Sequence, residues 1–344
     1  MPAAIGLAEK GLRRYPSEQS EWYWKFLGIK AHGWTLQGKF TEALGLLNRP
    51  LPSQFKDADF AVRLKLTQAL SLANTQRGTE AAVAIGEAEA LGQAKYHELL
   101  GEVALRKGTV CFIAGDFVCA GSEYRAALQS ARERHDSYFE AAALNGLGIV
   151  ATRLEHYDEA VEWDRAALKV AQSAGARYSV AQILGNTAWC YRKLGDYENA
   201  LALYKQAEED SRQAKLTAEQ IYWIAAISDA YYEQRQLTQA KEYLERGLSL
   251  AREQDDKTIL MQYLNALAAI ALDEGQPDRA ATHLAEARNN SGEAVDATIA
   301  LDQAIIDGRI KQEREKRIID VHKLPSQSKS YGDANSIESL QELR

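Results

Sequence analysis

The segment GDFVCAGSEYRAAL (Gly115–Leu128) returns as EHYDEAVEWDRAAL (Glu155–Leu168) and again as GDYENALALYKQAEE (Gly195–Glu209). Each copy reads Gly or Glu, one residue, an aromatic, two residues, then Ala. Two weaker copies follow, QLTQAKEYLERGL from Gln236 and QPDRAATHLAEA from Gln276. The central alanines Ala120, Ala160, Ala200, Ala240 and Ala280 stand 40 residues apart, four times without slippage. A fixed period of this length marks a stacked array of small units rather than one closed core.

Two further small residues keep the same register. Gly108, Gly148, Ala188, Ser228 and Ala268 lie twelve residues before the alanines; Ala127, Ala167, Ala207, Gly247 and Ala287 lie seven after. Small side chains at these offsets let two antiparallel helices approach closely. Larger residues such as Leu147, Tyr157, Tyr191, Tyr197, Tyr204 and Leu244 fill the seams. Apolar residues at i, i+3, i+4 and i+7 predict a helix A ending near each Gly-Asp or Glu-His turn and a helix B starting after it. Such a hairpin cannot bury its apolar face alone, so neighbours must stack. The expected fold is all-α, a right-handed superhelical solenoid of helical hairpins.

The small–aromatic–Gly-x-Tyr–Ala pattern resembles the tetratricopeptide repeat, whose usual period is about 34 residues. The additional residues here are expected in the polar stretches Ala131–Ser137, Gln172–Ser179 and Arg252–Thr258, giving a longer helix B and a longer return turn. The array is divided at 1–52 (first units), 53–100 (a degenerate unit), 101–290 (regular repeats), 291–322 (capping helices or an eroded repeat) and 323–344 (a mobile tail). Ala4–Tyr15, followed by Pro16, reads as a lone helix B. GKFTEALGLL from Gly38 fits the repeat, with Ala43 and Ala31 in the small positions. RGTEAAVAIGEAEAL from Arg77 lacks the aromatic, and Lys311, Glu315, Arg317 and Asp320 occupy positions that should be apolar or small.

With 344 residues, 46% of them hydrophobic, and a net charge of −7, the chain has the composition to bury a large core. Mild acidity disfavours a nucleic-acid or anionic-membrane surface. No apolar run approaches the roughly 20 residues of a membrane span, and the N-terminus lacks the apolar core of a signal peptide. Cys111, Cys119 and Cys190 fit no disulfide framework or zinc spacing. They read as small buried hydrophobes in a reducing, cytoplasmic setting.

Catalytic motifs do not rise above background. Gly33, Gly38 and Lys39 mimic a phosphate loop, but Phe40 stands where a Ser or Thr is required. Gly146, Gly148 and Ala151 mimic a dinucleotide fingerprint inside a helix A. The six histidines form no close pair. Neither cofactor nor metal is expected, and the chain reads as a non-enzyme.

A groove is the stronger candidate. Taking the small residue of helix A as position 8, positions 2, 5, 6, 9, 12 and 13 face inward. They carry Arg106; Asn145 and Arg153; Gln182, Asn186, Trp189, Arg192 and Lys193; Asp229 and Tyr232; and Asn265. Amides can pair with a peptide backbone, Arg and Lys with carboxylates, and Trp and Tyr can anchor a partner. The expected partner is a protein or peptide.

The 40-residue units, the opening helix closed by Pro16, EWYWKFLGIKAH leading to GKFTEALGLL, and AIIDGRIKQ at Ala304 resemble the repeat scaffold of bacterial CHAT-type proteins. That resemblance implies a caspase-like peptidase domain outside residues 1–344, with this chain as its regulatory or substrate-docking part. Kinesin-light-chain-like cargo arrays have a similar period.

Overall fold

The computed structural model describes residues 2–213, 216–254, 256–290 and 297–323, so the expected tail lies outside the described residues from 324 on. The chain folds as two compact units, 1–196 and 197–344. The first contains α1 (Pro2–Arg14), α2 (Glu21–Leu36), α3 (Phe40–Leu47), α4 (Asp59–Asn74), α5 (Gly78–Lys95), α6 (Leu100–Ile113), α7 (Phe117–Glu133), α8 (Ser137–Arg153), α9 (Tyr157–Ser173) and α10 (Arg177–Lys193). The second contains α11 (Tyr197–Gln213), α12 (Thr217–Glu233), α13 (Leu237–Gln254), α14 (Lys257–Asp273), α15 (Pro277–Asn289) and α16 (Ala297–Lys323). No strand occurs among the described residues.

One turn recurs through both units. Gly115, His135, Glu155, Gly175 and Gly195 all have positive φ, as do Arg235 and Gly275. At Glu155 the amide of His156 reaches back to the Ala151 carbonyl and that of Glu155 to Thr152. These are the paired bonds of a Schellman cap. The same two bonds close α6 at Cys111 and Phe112, α10 at Tyr191 and Arg192, and α14 at Ala271 and Leu272. The left-handed residue ends α8, α10 and α14 after 17 residues each. Asp136 and Asp256 then start the next helix by accepting hydrogen bonds from two amides of its first turn.

This turn places the extra residues of the repeat. Helices α8 and α9 are 17 residues each, and three-residue turns follow both. The expectation of a longer return turn is therefore corrected for the repeats from α6 to α10: A-to-B and B-to-A turns there have the same length, and the added residues extend both helices, α8 and α9.

The small-residue ladder closes the seams. Ala120, Ala160, Ala240 and Ala280 have no exposed surface. The Tyr124 ring lies between Gly108 and Gly146, where a Cβ on either glycine would strike it. In the second unit the Ser228 hydroxyl donates to the Ala240 carbonyl at 2.9 Å, and the Tyr263 hydroxyl donates to the Ile221 carbonyl at 2.6 Å.

One expectation about individual positions changes. Cys111 and Cys119 are joined as a disulfide, while Cys190 is the buried free thiol. The first pair ends α6 and begins α7, and the tight turn between brings their Cα atoms to 5.9 Å, within bridging range. Burial pushes the Cys190 thiol up to about 11, which keeps it unreactive. Residues 297–323 form one continuous helix, in which Ile306 and Ile310 of α16 pack on Ala268, Leu272 and Leu284. Its charged positions pair outward, Arg314 with Asp278 at 2.9 Å and Arg309 with Asp273; the side chains of Arg317 and Asp320 lie outside the described residues.

One position breaks the packing rule. Tyr124, Asp164, Tyr204, Leu244 and Leu284 occupy the same place in successive B helices. Asp164 alone is a carboxylate there, and it is 0% exposed. Its Oδ2 faces the Thr187 hydroxyl at 3.3 Å, but that hydroxyl has one proton and also donates to the Ile183 carbonyl at 2.8 Å. Its Oδ1 has no hydrogen-bond partner. Burial raises the Asp164 carboxyl to about 7 despite the Thr187 hydroxyl.

Two outcomes follow. Glu155→Gly should raise the thermal unfolding midpoint by the equivalent of about 1 kcal/mol, since the left-handed conformation costs a side chain that much and glycine little; Gly115→Ala should lower it. The raised Asp164 value means that the native chain binds this proton more tightly than the unfolded chain. Stability from this group is therefore present at low pH and lost as pH rises towards 7. Asp164→Asn should stabilise the chain by about 2–4 kcal/mol at pH 8 and by far less at pH 5, read from unfolding midpoints at both pH values.

Candidate functional site

In the first unit each A helix packs directly on the next: α2 on α4, α4 on α6, α6 on α8 and α8 on α10. Successive B helices make no comparable contact. The A layer is therefore the inner wall of this unit, and its residues not used in packing line that wall.

Asn145 of α8 and Asn186 of α10 stand next to each other, the Asn186 Nδ2 donating to Asn145 Oδ1 at 3.3 Å. Trp189 is half-buried, edge-on to Tyr157 at 5.6 Å, with the Lys193 ammonium over its ring at 5.1 Å. Arg153 is exposed and lies over Phe112 at 5.7 Å. Gln182 is exposed and Arg192 half-buried on α10. These side chains share two neighbouring A helices, so seven of the expected residues stand on one stretch of wall.

Arg106 sits apart from them, on α6. It is half-buried, and its charge acts on His32 of α2 and on Tyr124. Burial, reinforced by Arg106, lowers His32 to about 4, so the imidazole is neutral near pH 7. Sequence reasoning passed over His32 and its neighbours Ile29 and Leu36. Counting from Ala31 as position 8, these fall at positions 9, 6 and 13, the inward ones, and that count is the signal for them.

In the second unit Asp229 is exposed, whereas Asn265 is 6% exposed and lies in the core. Tyr232 is engaged in a cluster. Its hydroxyl donates to Asp273 Oδ2 at 2.5 Å, Arg235 reaches the same oxygen at 3.3 Å, and Arg309 of α16 holds the other. Burial opposes the Asp273 charge, but the Tyr232 and Arg309 hydrogen bonds and the arginine charges outweigh it and hold the carboxyl below its ordinary range. Tyr232 thus ties α12 to α14 and, through Asp273, to α16.

No group of His, Cys, Asp and Glu able to hold a metal occurs among the described residues. No helix among them is long and apolar enough to cross a membrane.

A sequence profile of the tetratricopeptide repeat matches residues 99–173 and 139–213, and a second matches 224–254. The chain therefore carries tetratricopeptide repeats. No protein of curated function matches it in sequence. Among solved structures, the apo form of RapI superposes with a TM-score of 0.69 at 14% identity, covering 86% of this chain and 84% of that one. A Rap protein complexed with competence and sporulation factor gives 0.58 at 14% identity, over 92% and 97%. The STAND protein with a tetratricopeptide repeat sensor from Pyrococcus horikoshii gives 0.63 at 16% identity, over 91% of this chain and 48% of that one. At these identities the likeness establishes the fold, an all-α solenoid of tetratricopeptide-like hairpins.

Asp273→Asn should loosen α16, seen as faster amide hydrogen exchange along residues 303–316, with a loss of about 2 kcal/mol at neutral pH. A depressed carboxyl stabilises above its unfolded value and ceases to do so as pH falls through its folded one. The difference from wild type should therefore vanish in acid.

Proposed function

We propose that this chain is a protein-interaction scaffold that binds a peptide or helix of a partner along the inner A-helix wall, and that it is not an enzyme. The observation that carries this reading is the stretch formed by Asn145, Asn186, Trp189 and Lys193. The two amides pair at 3.3 Å, a long and weak bond, and each keeps capacity for a peptide group. Trp189 and Lys193 add an aromatic surface and a charge beside them, types that anchor protein interfaces. Arg153, Gln182 and Arg192 extend the surface, and in the second unit Asp229 and Tyr232 are its counterparts. Arg106 and Asn265 complete the proposed set, with Asn265 requiring a local opening of the core to take part.

The fold supports the reading. A Rap protein of the same architecture has been captured with competence and sporulation factor. On the sequence resemblance described above, a caspase-like domain of CHAT type is one candidate partner.

Peptides selected from a random dodecapeptide phage library on the full chain should bind saturably. Their affinity should fall about tenfold or more in the Asn186→Ala/Trp189→Ala double variant, as expected when hydrogen bonds and an aromatic anchor are lost together. Lys193→Glu, an exposed change, provides a second reading that leaves Trp189 in its seat against Tyr157. Affinities unchanged in both variants, measured by titration calorimetry, remove this stretch from the site.

A further inference from the structure

At the N-terminal end of the same inner layer, α2, α4 and α6 enclose an open cleft of about 480 Å³. That volume lies within the roughly 300–1,000 Å³ of ligand-binding clefts. Its walls are apolar and aromatic, built from Trp22, Phe26, Ile29, Leu36, Phe60 and Leu64. Trp22, Ile29 and Leu36 are 52%, 46% and 47% exposed. They are seven residues apart on α2, so they form one stripe along a single face, about 21 Å long at 1.5 Å per residue. Single exposed hydrophobic residues are ordinary, but a row of three lining a cleft marks a surface that meets something.

The charges around the cleft are not symmetric. Lys25 is paired with Glu21 at 2.5 Å. Arg63 is paired with Asp59 at 3.6 Å and with Glu102 at 3.2 Å. Arg106 is the exception: among the described residues no carboxylate lies within ion-pair range of it, although it is half-buried. A partly desolvated guanidinium without a counter-ion favours binding of an anion. The two carboxylates that line the cleft, Asp59 and Glu102, are both held by Arg63, and the imidazole of His32 is neutral.

Resting on the reading of the inner wall as a docking surface, we propose that this cleft seats an apolar segment of a partner protein that carries a carboxylate. Its bulky side chains lie along Trp22, Ile29 and Leu36, and its carboxylate meets Arg106. A basic segment is repelled by Arg106, and a wholly polar one leaves the stripe in water.

The test uses dodecapeptides selected on the full chain from the random library, resynthesised and titrated calorimetrically. A class of them should combine large apolar residues with Asp or Glu. Their dissociation constants should rise about tenfold or more in Arg106→Ala and in Ile29→Asp, the loss expected for a charge-assisted hydrogen bond or a buried aliphatic contact. Replacing the peptide's Asp by Asn should cost as much on the wild-type chain and nothing further on Arg106→Ala. Both positions are at least partly solvent-exposed, and unchanged circular dichroism and melting will confirm that the variants fold.

Four results overturn the assignment. One is selected peptides without acidic residues. Another is affinities that do not move in Arg106→Ala and Ile29→Asp; if the same peptides weaken in Asn186→Ala/Trp189→Ala, the scaffold reading stands and only the cleft is lost. The third is a concentration-dependent dimer abolished by Ile29→Asp, which gives the cleft to a second copy of this chain. A library that yields no binding peptide overturns both readings together.

Discussion

The left-handed turn that ends each helix is the constraint on which the array depends. It closes a helix by two backbone bonds, from the residue after the turn's left-handed residue and from that residue itself. Helix length is thereby fixed at 17 residues in α8, α9, α10 and α12, and a helix with its turn takes twenty residues. Equal lengths give equal rotation about each helix axis, so the same position in successive A helices faces the same way. The turn persists at His135, Glu155 and Arg235, where the side chain opposes it. Packing of the hairpins therefore sets the conformation, and glycine only makes it cheaper.

Given that register, the seams are a matter of volume. The Tyr124 ring in helix B sits where helix A has two missing Cβ atoms, at Gly108 and Gly146. Gly148 faces Asp164 in the same manner. The space opened there admits a carboxylate but does not supply the donors that would solvate its charge. The result is a carboxyl that keeps its proton up to about pH 7 rather than an ion pair. Nearby, the Thr152 hydroxyl and the Cys190 sulfur lie at 3.2 Å, so this hairpin interface carries several polar side-chain atoms.

The alanine ladder makes the hairpin repeat legible in the sequence, because a 40-residue spacing of small residues has few physical causes. The position of the added residues is less legible: Ala131–Ser137 looks like a loop by polarity, yet Ala131, Arg132 and Glu133 still belong to α7 and Ser137 already opens α8, with His135 at positive φ between them. A turn of this kind shows itself only where glycine marks it, as at Gly115 and Gly195. The joined Cys111 and Cys119 are invisible to spacing rules, since eight residues form a bridge only when a tight turn folds them together. Asn265 shows the converse: an inward position by count is still 6% exposed, because α14 is covered on more than one side.

The inner wall differs along its length because packing between A helices uses different positions in different places. At α8 and α10 the amides of Asn145 and Asn186 meet across the gap, so the wall there is polar and already partly satisfied. At α2 the inward positions hold Ile29 and Leu36, which look like core residues by type. They are core only if something covers them. Helix α1 packs on α2 through Gly11 against Phe26 and Gly33 against Ile5, and its Ala4 reaches the edge of the cleft, yet Trp22, Ile29 and Leu36 stay exposed. Residue type alone cannot separate a buried leucine from one awaiting a partner. The separation needs the geometry of the neighbouring helix, and here that geometry puts hydrocarbon and an unpaired guanidinium on the same open cleft.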